Sequence, residues 1–208
     1  MTPAKQLDAG IALLGADIPQ AARHRLLAFV ALIERWNTVH NLTALRATEQ
    51  MISQHLLDSL SILPALIEDN LLDVGSGAGL PGIPLAIAQP KLFVTLLDSN
   101  QKKAAFLRQA KTELALTNVE IVCVRVENWR PPGSFANIVS RAFSDLAEFA
   151  RLAGHLLAPQ GRMLAMKGAY PAGEIDLLPQ GLTLSEIRPL RVPLIAAERH
   201  LVILKKAA

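Results

Sequence analysis

Residues 73–82 read Asp73-Val74-Gly75-Ser76-Gly77-Ala78-Gly79-Leu80-Pro81-Gly82. A short apolar run, Leu71 to Val74, leads into this stretch, and a segment with helical character, Pro84 to Ala88, leaves it. A strand therefore ends and a helix begins across a glycine loop. Glycine takes positive φ without steric cost and lets a ligand approach the main chain. The helix N-terminus beyond presents N–H groups that have no intrahelical partner. Twenty-five residues after Asp73, Asp98 closes the next apolar run, Leu92 to Leu97. An acid at that position can accept two hydrogen bonds from ribose hydroxyls. Four glycines within residues 75–82, together with a placed acid, favour a ligand-holding loop over a bare turn.

The pattern repeats outward from the loop. Val119 to Val126, Ala136 to Ser140 and Met163 to Met166 are further apolar runs, separated by helical stretches at Gln101 to Leu114 and Asp145 to Leu157. Continuous apolar strands alternating with helices indicate a parallel sheet covered on both faces. Leu182 to Ile187 alternates in polarity and His200 to Leu204 is short and apolar, which predicts an antiparallel pair at one edge. Residues 1–69 read as helical. Leu26, Phe29, Val30, Ile33 and Trp36 mark one buried face. A second helix is predicted from Thr48, as N-cap, to Leu66, with Met51, Ile52, His55, Leu56, Ser59 and Leu60 along one side and Pro64 near its end. The expected organisation is an N-terminal helical extension, 1–69, packed on a Rossmann-like core, 70–208.

Composition bounds the remaining possibilities. The chain has 208 residues, 51% of them hydrophobic and 19% charged, which excludes intrinsic disorder. Mean hydropathy is +0.30, yet the uncharged run from Val74 to Pro90 holds four Gly and three Pro. No apolar stretch reaches the roughly 20 residues that a membrane span needs. The opening Met-Thr-Pro-Ala-Lys-Gln-Leu-Asp lacks the basic, apolar and small-residue regions of a secretory signal, and the single Cys123 can form no internal disulfide. A cytoplasmic location is expected, with monomer as the default. Net charge is +3, and the positive excess lies in the second half. Residues 100–170 carry 10 Lys/Arg against 5 Asp/Glu, whereas residues 1–69 carry 5 against 7. A polyanionic partner is compatible with this balance but is not required by it.

The loop matches two chemistries. Gly77-x-Gly79-x-x-Gly82 fits the dinucleotide fingerprint literally, a weak signal alone. Asp73, two residues before the first glycine, argues the other way. A pyrophosphate is anionic and an acid at the loop mouth would repel it, whereas a sulfonium bearing an α-amino group would be attracted.

Asp-x-Gly-x-Gly-x-Gly at 73–79 resembles the signature loop of class I S-adenosylmethionine-dependent methyltransferases. The longer string Asp73 to Leu85, reading Asp-Val-Gly-Ser-Gly-Ala-Gly-Leu-Pro-Gly-Ile-Pro-Leu, is similar to the RsmG family, also called glucose-inhibited division protein B, of bacterial small-subunit rRNA methyltransferases. Trp36-Asn37 with Asn41-Leu42-Thr43, His55 to Ser59, Ser140-Arg141-Ala142 and Lys167-Gly168 agree with it, so the resemblance spans about residues 26–205. It implies methylation of N7 of a guanine in the decoding-region loop of 16S rRNA, within the small ribosomal subunit, with S-adenosylmethionine as cofactor. It further implies that Asp73, Gly75, Ser76, Gly77, Gly79 and Leu80 form the cofactor loop, that Asp98 holds the ribose, and that Val126 and Glu127 bracket the adenine. Arg141 is expected at the reaction site, touching cofactor and substrate, with Lys167, Arg199 and His200 near the RNA. Guanine N7 carries a free lone pair, so positioning rather than a general base is expected to carry the reaction.

Other residues are expected to be structural. Cys123, within Ile121 to Val124, reads as a buried core residue, which argues against pyrimidine C5 methylation. His55 and Asp58 read as a hydrogen-bonded pair. Lys102, Lys103, Arg108 and Lys111 form either a solvated face or an RNA-phosphate track. The five histidines show no metal-ligand spacing, and 4% aromatics is too few for the stacking series of a single-strand binder. Another methyl acceptor, RNA or protein, and a nicotinamide oxidoreductase are the alternative readings.

Overall fold

Strands β1 (Asn70–Val74), β2 (Phe93–Leu97), β3 (Val119–Val122), β4 (Phe135–Ser140), β5 (Leu157–Lys167), β6 (Leu182–Pro189) and β7 (His200–Lys206) form one sheet in the order β3-β2-β1-β4-β5-β7-β6. The computed structural model describes residues 1–141, 143 and 145–207, and all structural statements concern these. Ala142, in the Ser140-Arg141-Ala142 motif, lies outside them. The first five strands in that order pair in parallel, and β7 pairs antiparallel with both β5 and β6. Strand order reverses between β1 and β4, which is where ligands bind in open α/β sheets, outside the carboxyl ends of the strands.

Successive strand residues enter opposite faces. Leu71, Leu96, Val139 and Leu201 join one apolar cluster, while their neighbours Leu72, Leu97, Ile138 and Val202 join the other. The first cluster also takes in Leu7 of α1 (Pro3–Leu14), Phe29 of α2 (Gln20–Asn37), Ile83 of α5 (Gly82–Ala88) and Phe106 of α6 (Gln101–Glu113). Phe149 of α7 (Leu146–Ala153) packs in the second. Helices thus cover both faces, and the N-terminal helices share a core with the sheet. Side-chain caps mark several helix starts. Thr2, Asn100 and Asp145 each accept a first-turn N–H, at α1, α6 and α7, satisfying donors that the helix cannot. Among the described residues no helix is long and apolar enough to cross a membrane.

Within the stretch read as helical, α1 is closed by Gly15 at φ 64°. The structure departs from the sequence reading in five places. The predicted helix 48–66 is broken into α3 (Thr48–Met51), a π-helical turn at Ile52–Leu57, α4 (Asp58–Leu60) and a 3₁₀ turn at Leu63–Ala65 that holds Pro64. The expected side is nevertheless buried. Ser53 and Ser59 hydroxyls donate to carbonyls four residues back, a back-bond that loosens helical turns. Thr48 is the first helical residue rather than the cap, because its hydroxyl donates to Glu34.

β3 ends at Val122, leaving Cys123 half-buried and Val124 exposed. β3 is an edge strand, so nothing beyond it completes a core around the thiol. β5 begins at Leu157, six residues before the predicted start, and runs through Pro159 and Gly161, residue types that disfavour a strand interior. A register shift in the β4–β5 pairing accommodates them. α7 accordingly stops at Ala153 rather than reaching Leu157.

One buried polar cluster ties the approach to β1 to β4. The fully buried Asn137 amide donates to the Ile67 and Asn70 carbonyls, and its oxygen accepts the Ile67 N–H at 2.9 Å. Unmet buried hydrogen-bonding groups cost about 1–3 kcal/mol. Asn137→Ala is therefore expected to lower the urea unfolding free energy by about that amount. An unchanged midpoint would show that these groups find other partners.

Candidate functional site

The glycine loop is closed by two carboxylates, one inside and one at the rim. Asp73, in β1, is fully buried, and its Oδ2 accepts the Gly82 N–H at 2.9 Å, while Oδ1 has no hydrogen-bond partner. Gly82 is required by this contact. A Cβ there would lie 2.3 Å from Leu96 Cδ2 and 2.8 Å from Asp73 Oδ2. Gly79 sits at φ +80°, and a Cβ there would lie 2.5 Å from Ile83 Cδ1. Ser76 is buried, with its hydroxyl on the Asp73 carbonyl, and Leu80 packs into the apolar cluster. Asp73, Ser76 and Leu80 thus shape the loop from inside. The expectation that Asp73 meets a cation at the loop mouth is corrected, because its carboxylate faces a backbone N–H within the core.

Asp98, just past β2, is the rim carboxylate. Its Oδ2 accepts the Gly77 N–H at 2.9 Å and its Oδ1 the Asn100 N–H at 2.8 Å. Lys103 Nζ lies 3.9 Å away. A carboxylate offers about four acceptor positions, so Asp98 retains capacity towards a ligand. It lines a cleft of about 460 Å³ with Val74, Gly75, Leu97, Val126 and Glu127. Val126 is buried and Glu127 stands half-exposed beside Arg125, with 3.7 Å between charged atoms. The sequence-predicted Gly75, Asp98, Val126 and Glu127 therefore come together in one cavity.

Arg141, Lys167, Arg199 and His200 come together in another, of about 350 Å³, with Gln54, His55 and Asp58 on its lining and apolar walls from Leu45, Met166 and Leu190. The two cavities flank the β1–β4 switch. Val74 of the first ends β1, and Ser140, next to Arg141, donates its hydroxyl to the Val74 carbonyl at 2.8 Å.

Asp58 organises the second cavity. Its side chain is almost wholly buried, with Arg141 Nη1 3.5 Å from Oδ2 and Arg199 Nε 3.3 Å from Oδ1. Burial works to raise the Asp58 carboxyl, and the two guanidiniums oppose it. Arg141 Nη1 also donates to the Gln54 carbonyl at 3.1 Å. The expected His55–Asp58 pair does not form. His55 Nε2 meets the Thr43 hydroxyl at 2.9 Å, and Asp58 is taken by the arginines. Burial, reinforced by the Arg141 charge, lowers His55 to about 4, so the imidazole is neutral at pH 7.

Three contributors carry no role in the sequence reading. Asn37 ends α2 and holds the following loop, accepting the Leu42 and Thr43 N–H groups and donating to the Thr43 and Leu45 carbonyls. That places Thr43 on His55 and Leu45 in the cavity wall. Glu174 accepts from Lys167 Nζ and from the Leu146 N–H, both at 2.7 Å. Gln54 holds Arg141. The Trp36-Asn37, Asn41-Leu42-Thr43 and His55–Ser59 motifs were the available signal for the first; no local pattern marks Glu174. Among the described residues no group of three or more His, Cys, Asp or Glu could hold a metal ion.

Burial raises Asp73 to about 7, opposed by the Gly82 N–H and the Arg141 charge and reinforced by Asp98. Between about pH 4 and pH 7 the folded chain keeps a proton that an unfolded aspartate has released. Stability from this group is therefore complete at low pH and falls as pH rises through that window, by up to about 1.4 kcal/mol per unit. Asp73→Asn has no such proton to lose. Its stability relative to the parent is expected to climb from pH 4 to pH 7 in urea titrations, and parallel curves would show Asp73 ionised throughout.

The fold is shared with methyltransferases of low sequence identity. The glycopeptide N-methyltransferase MtfA, complexed with S-adenosylhomocysteine, aligns with a TM-score of 0.64 at 11% identity, over 74% of this chain and 87% of its own. A ribosomal protein L11 methylase from Lactobacillus delbrueckii subsp. bulgaricus gives 0.57 at 15%, over 73% and 77%. Among sequences, a ribosomal RNA small subunit methyltransferase G from Nitrosospira multiformis is 51% identical over 100% of this chain and 99% of its own. Its namesake from Laribacter hongkongensis is 52% identical over 95% and 96%. The profile described as GidB, rRNA small subunit methyltransferase G, matches residues 22–202, a span that contains both cavities and the loop between β1 and α5, and the chain belongs to that family.

Proposed function

We propose that this chain transfers a methyl group from S-adenosylmethionine to N7 of a guanine in the decoding-region loop of 16S rRNA, acting on the small ribosomal subunit in the cytoplasm as a single chain. The observation that carries the reading is the pair of cavities flanking the β1–β4 switch, one acid-rimmed and the other cationic. Both are built from one chain.

The first cavity fits the cofactor. Asp98 has acceptor positions left for ribose hydroxyls, Val74, Leu97 and Val126 offer apolar surface to a purine, and Glu127 stands at the rim. Asp73, Gly75, Ser76, Gly77, Gly79 and Leu80 supply the loop backbone. When bound, S-adenosylmethionine supplies an electrophilic methyl group on a sulfonium. Arg141 is the substrate-positioning residue, on the side of the switch facing the second cavity, while Lys167, Arg199 and His200 line the RNA side.

Proton removal is not part of the scheme. N7 of neutral guanine is a hydrogen-bond acceptor with a free lone pair. His55 is neutral but engaged with Thr43, and Asp58 is held between two guanidiniums. The residues present bind and orient, which supplies rate through proximity and alignment.

Small subunits lacking the modification, incubated with the protein and labelled S-adenosylmethionine, are expected to take label into 16S rRNA. Borohydride–aniline treatment is then expected to cut at one guanine of the decoding-region loop. Unlabelled subunits alongside intact cofactor binding would overturn the acceptor. Asp98→Ala is expected to weaken S-adenosylhomocysteine binding by roughly 10- to 100-fold, the value of one hydrogen bond to a charged group. Unchanged affinity in calorimetry would remove Asp98 from the cofactor site.

A further inference from the structure

The chain has a single tyrosine, Tyr170, and it stands at the mouth of the cationic cavity. β5 and β7 end in register there, with Lys167 opposite His200. His200 lines the cavity and its ring lies perpendicular to Tyr170, with centroids 5.6 Å apart. Tyr170 is nonetheless 55% exposed, so much of the ring is open to a ligand. The segment carrying it is held on both sides. The Gly168 carbonyl lies 3.4 Å from His200 Nδ1, and Glu174 is tied to Lys167 and to the first turn of α7. Between them Ala172 N–H donates to the Tyr170 carbonyl at 3.0 Å and Glu174 N–H to the Pro171 carbonyl at 3.1 Å. The ring is thus presented by a braced turn, which limits the ordering cost of binding to it.

We infer that Tyr170 is a stacking platform for the base next to the reacting guanine, positioning the RNA for the known family reaction. The inference rests on the proposed function and adds a residue to it. A guanine that enters the cavity between Leu45, Met166 and Leu190 must leave its own stack, as bases do when enzymes act on them. Its neighbour then loses a stacking partner. Loop and single-stranded RNA is recognised by unstacked bases laid on aromatic rings, and such a contact tolerates any base because each has a π face. The cations Arg141, Lys167 and Arg199 lie on the cavity lining with His200, where they meet phosphate or base edge. Phe93, another exposed ring, begins β2 and so lies at the opposite end of the sheet from the cavities. Composition points away from a series of stacking platforms, and the structure assigns one ring at one place.

Three variants and two readouts test this. In methyl transfer to unmodified small subunits, Tyr170→Ala is expected to raise KM for the subunit roughly 5- to 100-fold, the range for loss of one base–aromatic stack. The kcat and the KM for S-adenosylmethionine should stay within about twofold, since Tyr170 lines neither cavity. Tyr170→Phe and Tyr170→Trp should restore the parent KM. Independently of catalysis, Tyr170→Ala should weaken binding to a hairpin RNA carrying the decoding-region loop without changing the salt dependence, because no charge is lost. A parent-like KM and affinity for Tyr170→Ala would overturn the platform, as would a Tyr170→Phe variant as poor as Tyr170→Ala, which would assign the role to the hydroxyl. Weakened hairpin binding in a protein that methylates no subunit would leave the platform standing and overturn the acceptor. Absence of hairpin binding by the parent chain, with a parent-like subunit KM for Tyr170→Ala, would overturn the platform and leave the acceptor to the subunit assay.

Discussion

The Asp73 carboxylate receives the Gly82 N–H at 2.9 Å with no solvent around it, and the loop between these two residues must close within that distance. Asp98 fastens the same loop from the rim by taking the Gly77 N–H. Seven residues separate the strand end from the start of α5, and the first two have their main chain drawn inward to the end of β2. Gly75 and Ser76 N–H groups both donate to the Leu97 carbonyl. The tight turn brings backbone to the edge of the first cavity, where a side chain would otherwise stand. A buried carboxylate is costly unless it is hydrogen-bonded or neutralised, and raising Asp73 towards neutrality is how this core tolerates it.

The second cavity rests on the opposite arrangement. Asp58 stays close to two guanidiniums, and each buried charge is tolerated because the others are present. Three different elements meet there. Asp58 comes from the N-terminal helices, Arg141 from the end of β4 and Arg199 from the residue before β7. The N-terminal helices therefore do more than cover a sheet face. Through Asp58, Gln54 and the Asn37-held loop they supply the floor and one wall of the cationic cavity.

The π-helical turn at Ile52–Leu57 sits in that contribution. Wide turns of this type occur often at functional positions, and here the turn contains His55 and Gln54 and immediately precedes Asp58. Neither the neutral His55, engaged with Thr43, nor the arginine-bound Asp58 is placed to take a proton, as suits the proposed acceptor, whose reacting nitrogen carries a free lone pair. This agrees with chemistry by orientation, in which the fixed dipoles and charges of the cavity do not need to change protonation during the reaction.

Local chemistry was legible in the residues. The Asp-Gly spacing at 73–82, the acid at 98 and the two-sided apolar strands depend on neighbours a few positions apart, and such offsets carry directly into backbone geometry. The parallel sheet, its antiparallel edge and the glycine loop followed from them, whereas Val126 and Glu127 entered through the family resemblance. Pro159 and Gly161 obscured the start of β5, because a register shift in the pairing with β4 can absorb residues that elsewhere end a strand. Cys123 read as core because an apolar run does not reveal that its strand lies at a sheet edge. His55 and Asp58 lie three residues apart and looked like partners, yet Thr43 and two arginines claim them. Arg141 is 83 residues from Asp58 in the chain. The sequence by itself determined which elements form and the loop between two of them. Only the tertiary structure decided which distant charges meet, because those pairings are set by strand order and helix packing, to which no spacing in the chain corresponds.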